Sequence, residues 1–292
     1  MGCDNYAPSN RGATFYGVSA GWLASEESFI KNLKVFDLLK LRASYGTAGQ
    51  AATGVSRYPY QSIYAKGSGY NFGTSQNYIE GSYEATAGNL NNIWEKSAMT
   101  NFGLDFDIFH KKLYGSVDYF KEWRSQILVD RATVPTIFGL TAPQDSYGKA
   151  ETWGWEASLG HRNNIGKNFK YYVEGKLTWN RNKITEMDEL TPDYAYQAKT
   201  GKRIGQQFMF ILDQWASDPN LIPTSWEDAQ AHPEKYPYSA AGIYKLGNAV
   251  FKDVNGDRKI DTYDQIANGY SNSKIPELIP TVNIGFETYG FD

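Results

Sequence analysis

The residues best suited to chemistry lie in an acidic loop near the end of the chain. Oxygen-bearing side chains recur there at the spacing of a calcium loop, at Asp253, Asn255, Asp257, Asp261 and Asp264. In an EF-hand-like loop they would occupy positions 1, 3, 5, 9 and 12, and Lys259 would offer its backbone carbonyl at position 7. Position 6 is Arg258 rather than glycine, and Asp264 is shorter than the usual glutamate. The pattern therefore predicts either a structural calcium site or a turn held by side chain to backbone hydrogen bonds.

A second motif, Gly17-Val18-Ser19-Ala20-Gly21, has the spacing of a hydrolase nucleophile elbow. That elbow requires a strand, a sharp turn and then a helix, with a histidine near the serine in space. The motif lies instead inside an alternating segment, and the three histidines, His110, His161 and His232, have no suggestive local context. We therefore expect no enzymatic activity.

Aromatic side chains are spread through a polar segment between residues 49 and 92. The members are Tyr58, Tyr60, Tyr64, Tyr70, Phe72, Tyr78 and Tyr83. Exposed rings of this kind can stack on sugars or pack against a partner protein. The plainer interpretation, which we favour for any single residue, is that the rings pack on each other and hold a long loop in place.

The elements that must position these residues are strands. From Phe169 to Trp179, apolar and polar side chains alternate without a break, and the polar side includes charged residues. Residues 104–120 form a similar hairpin around Lys111 and Lys112, and Thr281–Glu287 alternates in the same way. Strands of this length with one apolar and one charged face suit a bilayer-crossing barrel whose lumen is filled with water.

The connections between these strands alternate in length. Turns near residues 111–112 and 166–168 are short, whereas the links 49–92, 129–150 and 184–277 are long. We expect one short helix in the last link, from Ser225 to Ala231. Short turns at one end and long loops at the other are typical of outer-membrane barrels. The sequence therefore predicts an all-β fold of antiparallel, up-and-down strands, which is a segment of a large transmembrane barrel with long outer loops.

Composition agrees with this prediction and excludes other classes. The chain has 292 residues, of which 15% are aromatic, and its net charge is −3. No basic block is present, which argues against nucleic-acid binding. Cys3 is the single cysteine, so no internal disulfide can form. The tryptophans that we place at or near strand ends are Trp22, Trp94, Trp153, Trp155 and Trp179, and we expect them to form an interfacial girdle.

Several of these segments resemble the SusC/RagA family of TonB-dependent outer-membrane transporters. The matching motifs, in the order of the family, are GVSAGW (Gly17–Trp22), LKLRASYGTAGQ (Leu39–Gln50), Ile93–Phe120, GKAETWGWEASL (Gly148–Leu159), GKRIGQQFMFILD (Gly201–Asp213), FKDVNGDRKIDTYDQ (Phe251–Gln265) and Ile275–Asp292. The resemblance covers the later part of the family's barrel. It implies that residues 1–292 are one partial barrel domain, without the signal peptide, plug and terminal strands. We count about eight strands, where such transporters close with roughly 22.

The resemblance also implies a function. Such transporters import oligosaccharides or peptides across the bacterial outer membrane, with a SusD-like lipoprotein as a lid and energy from the TonB–ExbB–ExbD complex. The residues that couple to TonB would lie in parts missing from this chain. The alternative is a soluble or surface-displayed β-rich module that binds glycans and has a calcium-stabilised loop. That module would bury Phe169, Tyr171, Val173, Leu177 and Trp179 against a second sheet, whereas a barrel would turn them toward lipid.

Overall fold

A computed structural model describes most of the chain. The described residues are 2–51, 57–166, 168–216, 222–232, 236, 238–239, 245–268 and 276–289. They form two compact units, the first from Met1–Glu189 with Pro276–Asp292 and the second from Leu190–Ile275.

Long strands dominate the first unit, and the second unit contains only short strands. In chain order they are β1 (Gly17–Leu23), β2 (Phe36–Gln50), β3 (Ile63–Phe72), β4 (Asn77–Thr86), β5 (Glu95–Ile108), β6 (Leu113–Val129), β7 (Asp145–Ile165), β8 (Phe169–Glu186), β9 (Phe208–Met209), β10 (Leu212–Trp215), β11 (Tyr238–Ser239), β12 (Ala249–Phe251), β13 (Lys259–Ile260), β14 (Ile266–Ala267) and β15 (Leu278–Thr288). The α-helices are α1 (Ser28–Lys31) and α2 (Trp226–Ala231), and short 3₁₀ turns lie at Pro8–Asn10, Ala24–Glu26, Thr136–Phe138, Ala195–Gln197 and Thr262–Asp264. None of the helices in the described part of the chain is long and apolar enough to cross a membrane.

The first unit is built on one antiparallel sheet of seven strands, in the order β1-β2-β5-β6-β7-β8-β15. Successive strands of this sheet are neighbours, as expected for an up-and-down arrangement. The prediction of antiparallel, up-and-down strands is therefore confirmed. The sheet has seven strands where the sequence suggested about eight.

The strand register places the strand ends that the long links connect at one end of this sheet. The links 51–94, 130–144 and 187–277 leave from that end, and the links 24–35, 109–112 and 166–168 from the other. The predicted alternation of short turns and long loops is confirmed for this sheet. Lys167, in the middle of the last short turn, lies outside the described residues.

The segment 49–92 differs from its prediction as a plain polar loop. It contains the antiparallel hairpin β3–β4, in which Lys66 pairs with Glu80 at 2.7 Å. A register shift between Gly67 and Tyr70 interrupts the alternation of this hairpin. That irregularity, together with the glycines at positions 67, 69 and 81, removes the periodic signal by which strands are recognised in a sequence.

The second unit consists of short strand pairs, β10–β12, β14–β9 and the parallel pair β11–β13. Its small core contains Ala216 and Val250, against which Ile222 packs. Helix α2 confirms the predicted short helix, with Ser225 as its N-cap accepting a hydrogen bond from the backbone N–H of Asp228.

Buried apolar side chains are scarce in the seven-stranded sheet. Among the buried hydrophobic residues of the described chain, Ala150 alone belongs to one of its strands. A compact core lies instead beside the long-loop end, where Tyr6 and Trp94 are 2% and 4% exposed and their rings lie 5.5 Å apart. The Trp94 indole N–H donates to the carbonyl of Arg11. The sheet therefore does not have the packed interior of a soluble sandwich.

The short turn between β5 and β6 has a strained backbone. Phe109, His110 and Lys111 all have positive φ angles, of 57°, 59° and 61°. Side chains of neighbouring elements hold this turn from two sides, because the Lys111 N–H donates to Asp37 and the Lys111 carbonyl accepts from Arg162 at 2.7 Å. The left-handed conformation costs a residue with a side chain about 1–2 kcal/mol, so the clamp offsets this strain.

Lys111→Gly is therefore expected to stabilise the protein by about 1 kcal/mol, because glycine adopts the left-handed conformation freely and keeps both backbone hydrogen bonds. The free energy of unfolding, measured by urea titration of the protein in lipid vesicles, tests this expectation. Lys112→Gly is the matched control. Lys112 does not have a positive φ, so its replacement should lower stability by about 0.5–1 kcal/mol. Equal losses in both variants would contradict the assignment of strain to Lys111.

Candidate functional site: the two faces of the sheet and its long loops

One face of the seven-stranded sheet is polar and hydrogen-bonded across neighbouring strands. We call it the polar face; its members include Arg42, Asp105, Ser116, Asp118, Glu156, Ser158, Glu174, Lys176 and Asn283. The hydroxyl oxygens of Ser116 and Ser158, on paired strands, lie 2.8 Å apart. The Asn283 amide donates to Glu174, which also pairs with Lys176 at 3.1 Å.

Arg42 is the most connected residue of the polar face. Its guanidinium makes two hydrogen bonds of 2.8 Å to Asp105 and one of 3.0 Å to Asp118, so it ties three strands together. Space for the guanidinium exists because position 103 is glycine: a Cβ there would lie 2.6 Å from the Arg42 Cζ atom. The two parallel hydrogen bonds to Asp105 fix the orientation of the guanidinium and strengthen this ion pair, although the arginine side chain remains 35% exposed.

The opposite face of the sheet is apolar and uncovered. Val282, Ile284 and Phe286 on β15 are 68%, 73% and 60% exposed. Phe169, Val173 and Leu177 on β8 are 37%, 41% and 45% exposed, and Tyr171 and Trp179 are partly exposed. We call this surface the apolar face. None of the five β8 residues that a soluble sandwich would bury is buried in the structure, so the prediction for a barrel holds.

Aromatic side chains border the apolar face at two levels. Toward the long loops, Tyr119, Trp155 and Trp179 lie in register on three successive strands, with the first two rings 4.7 Å apart. Beyond this row the same face becomes charged, where Lys121 pairs with Glu151 and Arg181 lies over the Trp179 ring. Toward the short turns, aromatic rings meet again in the pairs His161–Tyr171 and Phe169–Phe286.

The predicted tryptophan girdle is confirmed in part. Trp22 is 48% exposed near the end of β1, and Trp153, Trp155 and Trp179 lie on the apolar face. The predicted position at strand ends is wrong for these last three, because β7 and β8 extend well beyond them. The prediction is wrong for Trp94, because this residue is buried in the core beside the long loops. The alternation of polar and apolar residues does not reveal this burial, because the rings that cover Trp94 come from the distant residues Tyr6 and Phe15.

The predicted loop aromatics occupy different places in the structure. Tyr70, Phe72 and Tyr83 lie on one face of the β3–β4 hairpin together with Ile79, each more than half exposed. We call these four residues the hairpin patch; the Tyr70 and Phe72 rings contact each other edge to face at 5.2 Å. Tyr64 and Tyr78 are exposed on the other face of the hairpin. Tyr58 and Tyr60 pair with each other before the hairpin, at 6.1 Å.

The acidic loop of the second unit is folded around its own carboxylates. Asp264 is fully buried, and its Oδ1 accepts from the backbone N–H groups of Val254 and Asn255 while its Oδ2 accepts from that of Asp261. The other predicted ligands also turn toward the loop's own backbone. Asp253 accepts from the N–H groups of Gly256 and Arg258, Asn255 from Asp257, Asp257 from Lys259, and Asp261 from Tyr263.

This geometry corresponds to the self-bonded turn that the sequence offered as an alternative to calcium. Arg258 takes the glycine position of a calcium loop in a left-handed conformation, with φ of 66°. In the described part of the chain, no group of three or more His, Cys, Asp or Glu side chains is arranged to hold a metal ion. Calcium binding by this loop stays a prediction from the sequence pattern.

The hydrolase motif has no catalytic geometry. Ser19 lies in the middle of β1, an extended strand, and is paired in register with Ser44 of β2. A nucleophile elbow would place the serine at a sharp turn before a helix. The GxSxG spacing therefore reflects small residues of β1 that pair with residues on the polar side of β2, such as Ser44 and Arg42.

One cluster of the second unit has no counterpart in the sequence predictions. Tyr194 stacks on Tyr196 at 5.3 Å and contacts Tyr263 edge to face at 5.6 Å, and the Tyr196 hydroxyl donates to the Tyr263 carbonyl. The pKa of Tyr263 is raised, first by its hydrogen bond to Asp193. Burial raises the pKa of Tyr196. The cluster fixes the acidic loop to the 195–197 turn, and its only sequence signal is the alternation of tyrosines at 194 and 196.

Comparison with known proteins identifies the fold. A family model described as a TonB-dependent receptor-like β-barrel matches residues 3–277. The chain belongs to this family. It is 30% identical to the TonB-dependent receptor SusC of Bacteroides thetaiotaomicron over 277 residues, which are 90% of this chain and 25% of SusC. A TonB-dependent receptor of Formosa agariphila is 27% identical over 98% of this chain and 27% of its own length.

Solved structures agree with this assignment. The RagAB peptide importer matches in its closed-closed state with a TM-score of 0.68 and 21% identity, over 97% of this chain and 29% of the matched chain. Its open-open state matches with a TM-score of 0.66 and 19% identity, over 97% and 28%. The recognition of the SusC/RagA family from the sequence motifs is confirmed, as are the β-barrel fold and the outer-membrane location. The chain spans about a quarter of the length of these relatives.

The two aromatic rows fit the dimensions of an outer-membrane barrel. At about 3.3 Å per residue and a tilt of about 40°, the stretch from Phe169 to Trp179 spans about 25 Å of membrane. That distance equals the height of the apolar band that such barrels turn toward lipid, which is bordered by aromatic girdles. The apolar face is therefore the lipid-facing side of the TonB-dependent receptor, and the polar face is its lumenal side.

Val282→Arg tests this orientation, because Val282 lies midway between the two aromatic rows. Placing arginine on the lipid face near the bilayer midplane should lower the free energy of unfolding by about 2–4 kcal/mol. Urea titration in lipid vesicles measures the change. Asn283→Arg is the matched control on the polar face, where the new guanidinium would meet Glu174, and its cost should be less than about 1 kcal/mol. A larger loss in the control than in Val282→Arg would reverse the assignment of the faces.

Proposed function

We propose that this chain forms part of the wall and outer loops of a TonB-dependent importer of oligosaccharides or peptides. The observation that carries the proposal is the opposition of the two faces: an exposed apolar face bordered by aromatic rows, and a polar face with ordered ion pairs. Such a wall separates lipid from an aqueous passage. The polar face requires no bond chemistry for this role, and we propose that the protein has no enzymatic activity.

The partners in this proposal follow from the relatives. SusC is a TonB-dependent receptor, and RagAB is a peptide importer. By likeness to them, we propose that the whole protein works with a SusD-like lipoprotein and takes energy from the TonB complex. The soluble glycan-binding module, which was the alternative from the sequence, is not supported, because the apolar faces of its strands would have to be buried.

The hairpin patch is the strongest candidate among the loops for contact with cargo or with the lipoprotein. It is an apolar aromatic surface on a two-stranded hairpin, and such hairpins are marginally stable unless another surface packs on them. Because its side chains are already exposed, they can contact a partner without rearrangement of the hairpin.

Replacing Tyr70 and Phe72 by serine in the full-length protein should weaken this contact roughly tenfold, since each aromatic contact contributes about 0.5–1.5 kcal/mol. Affinity for the lipoprotein and cellular uptake of labelled oligosaccharides and peptides are measured separately. Tyr64→Ser, an equally exposed tyrosine on the opposite face, is the control and should change neither value. Unchanged affinity and unchanged uptake in the double variant would remove the hairpin patch from the proposal.

Calcium binding by the acidic loop is a separate proposal, and it would require Asp253, Asn255 and Asp257 to release the backbone N–H groups that they accept. Faster amide exchange of Gly256 and Arg258 in calcium than in EDTA would support it, because both N–H groups donate to Asp253 in the loop without calcium and would lose this acceptor. Equal exchange rates in both buffers would leave the self-bonded turn as the sole account.

Asp264→Asn should weaken the loop by about 1.5–3 kcal/mol whether or not calcium binds. The carboxylate accepts hydrogen bonds at both oxygens, whereas an amide would present a donor to one of the backbone N–H groups. Amide exchange at Val254 and Asp261 should accelerate accordingly. Unchanged protection at these two amides would contradict the central role of Asp264.

A further inference from the structure

The lipid-facing side of the central strands carries cations at its long-loop end. Beyond the aromatic row, Lys121 on β6 and Arg181 and Lys183 on β8 point to this side. We call these three residues the outer cation cluster. Toward the short turns, the outward positions of β6, β7 and β8 carry no acidic residue, lysine or arginine; they are Leu113, His161, Asn163, Ile165, Phe169 and Tyr171.

The outer cation cluster keeps positive charge that its neighbours do not neutralise. Lys121 pairs with Glu151 at 3.1 Å, and the Arg181 Nε lies 3.6 Å from Glu277. The second distance is longer than a hydrogen bond, so the N–H donors of Arg181 stay available. Lys183 lies opposite Glu151 on the paired strand, but Lys121 holds that carboxylate. Within the described ranges, the exposed Lys183 therefore has no ion-pair partner.

Aromatic rings set the depth of this cluster in the membrane. The Arg181 guanidinium lies over the Trp179 ring at 5.5 Å, and the Lys121 ammonium over the Trp123 ring at 5.0 Å. Tryptophans of such rows lie at the level of the lipid headgroups. Lys183 follows Arg181 on the same face, about 7 Å farther along the strand. An arginine and a lysine at headgroup depth suit a phosphate, since arginine donates in pairs and lysine adds a mobile charge.

An apolar groove of about 700 Å³ adjoins the cluster on the membrane side. Its outward lining includes Trp22, Ala43, Phe102, Tyr119 and Trp155. In register, the aromatic row passes from Trp155 through Tyr119 and Phe102 and then meets Ala43, whose small side chain leaves the groove open. Because Lys121 follows Tyr119 on the same face of β6, the groove and the outer cation cluster form one continuous surface.

We propose that this surface binds a phosphate-bearing lipid of the outer leaflet. The phosphate would meet Arg181 and Lys183, with Lys121 beside them, and an acyl chain would occupy the groove. The charge at the long-loop end favours this occupant, because the long loops of such barrels lie outside the cell and the cations lie at headgroup depth there. The inference rests on the outer-membrane location of the family and is independent of the proposed import function.

Native mass spectrometry of the full-length protein in detergent micelles tests the proposal with two lipids that have the same acyl chains. Dioleoyl phosphatidic acid carries a phosphate, and dioleoylglycerol does not. We expect phosphatidic acid to bind at least about tenfold more tightly, since each cation near a headgroup favours an anionic lipid several-fold. A large excess of inorganic phosphate should leave the lipid bound, because a free anion does not fill the groove.

Variants separate the contributions of the headgroup and the chain. Lys183→Gln should weaken phosphatidic acid binding about threefold or more, and Lys183→Arg should retain it. Neither change should alter the melting temperature without lipid, because Lys183 makes no ion pair within the described ranges. Adding Arg181→Gln to Lys183→Gln should bring the loss to about tenfold or more, with dioleoylglycerol unaffected. Ala43→Phe fills the groove and should weaken binding of both lipids.

Lys112→Gln is the matched control. Lys112 is also an exposed lysine, in the short turn at the opposite end of the sheet, and the described residues give it no ion-pair partner. Its replacement should leave both affinities unchanged. The proposal is overturned if the two lipids bind equally, if inorganic phosphate displaces phosphatidic acid, or if Lys112→Gln weakens binding as much as Lys183→Gln. Unchanged affinity for both lipids in Ala43→Phe would overturn the place of the acyl chain.

Discussion

The continuous ladder of backbone hydrogen bonds from β1 to β15 determines which way each side chain of the large sheet points. Inside a bilayer, water cannot satisfy backbone polar groups, so the strands must pair along their whole length. Because side chains alternate, a slip of one residue would exchange the lipid-facing and lumenal surfaces. Contacts specific to one register oppose such a slip, such as Arg42 with its two aspartates above Gly103, and Tyr172 above Gly285.

The parts of the fold that follow from this ladder are predictable from the sequence. From Phe169 to Trp179 in β8 and from Thr281 to Glu287 in β15 the alternation is unbroken, so the pattern of residue types alone assigns Val173 and Ile284 to the apolar face. The hairpin β3–β4 escapes such a prediction, because its glycines and the register shift after Gly67 erase the alternation. The prediction for Trp94 fails for a different reason. Its burial depends on contacts with Tyr6 and Phe15, and contacts between residues far apart in sequence leave no local pattern.

For the acidic loop, sequence alone could not decide between two structures, since the same residue types serve both. Aspartate and asparagine at this spacing can direct oxygens at a cation or at the backbone N–H groups of their own turn. The direction of the oxygens separates the two cases, and here Asp253 and Asp264 accept from the loop's own backbone. A similar ambiguity affects Gly17–Gly21, whose composition suits a nucleophile elbow but whose backbone is that of a strand.

The strained backbone positions at Phe109–Lys111 and Gln126 lie outside the lipid-facing band for a physical reason. Within the lipid-facing band the side chains are apolar, and an unsatisfied polar group there would cost several kcal/mol. Gln126 lies on β6 beyond Lys121, where the face has already become charged, and the turn at Phe109–Lys111 lies at the opposite end. Both places lie outside the lipid-facing band. The backbone of the spanning part is therefore regular, and the conformations that can serve recognition are confined to the two aqueous ends.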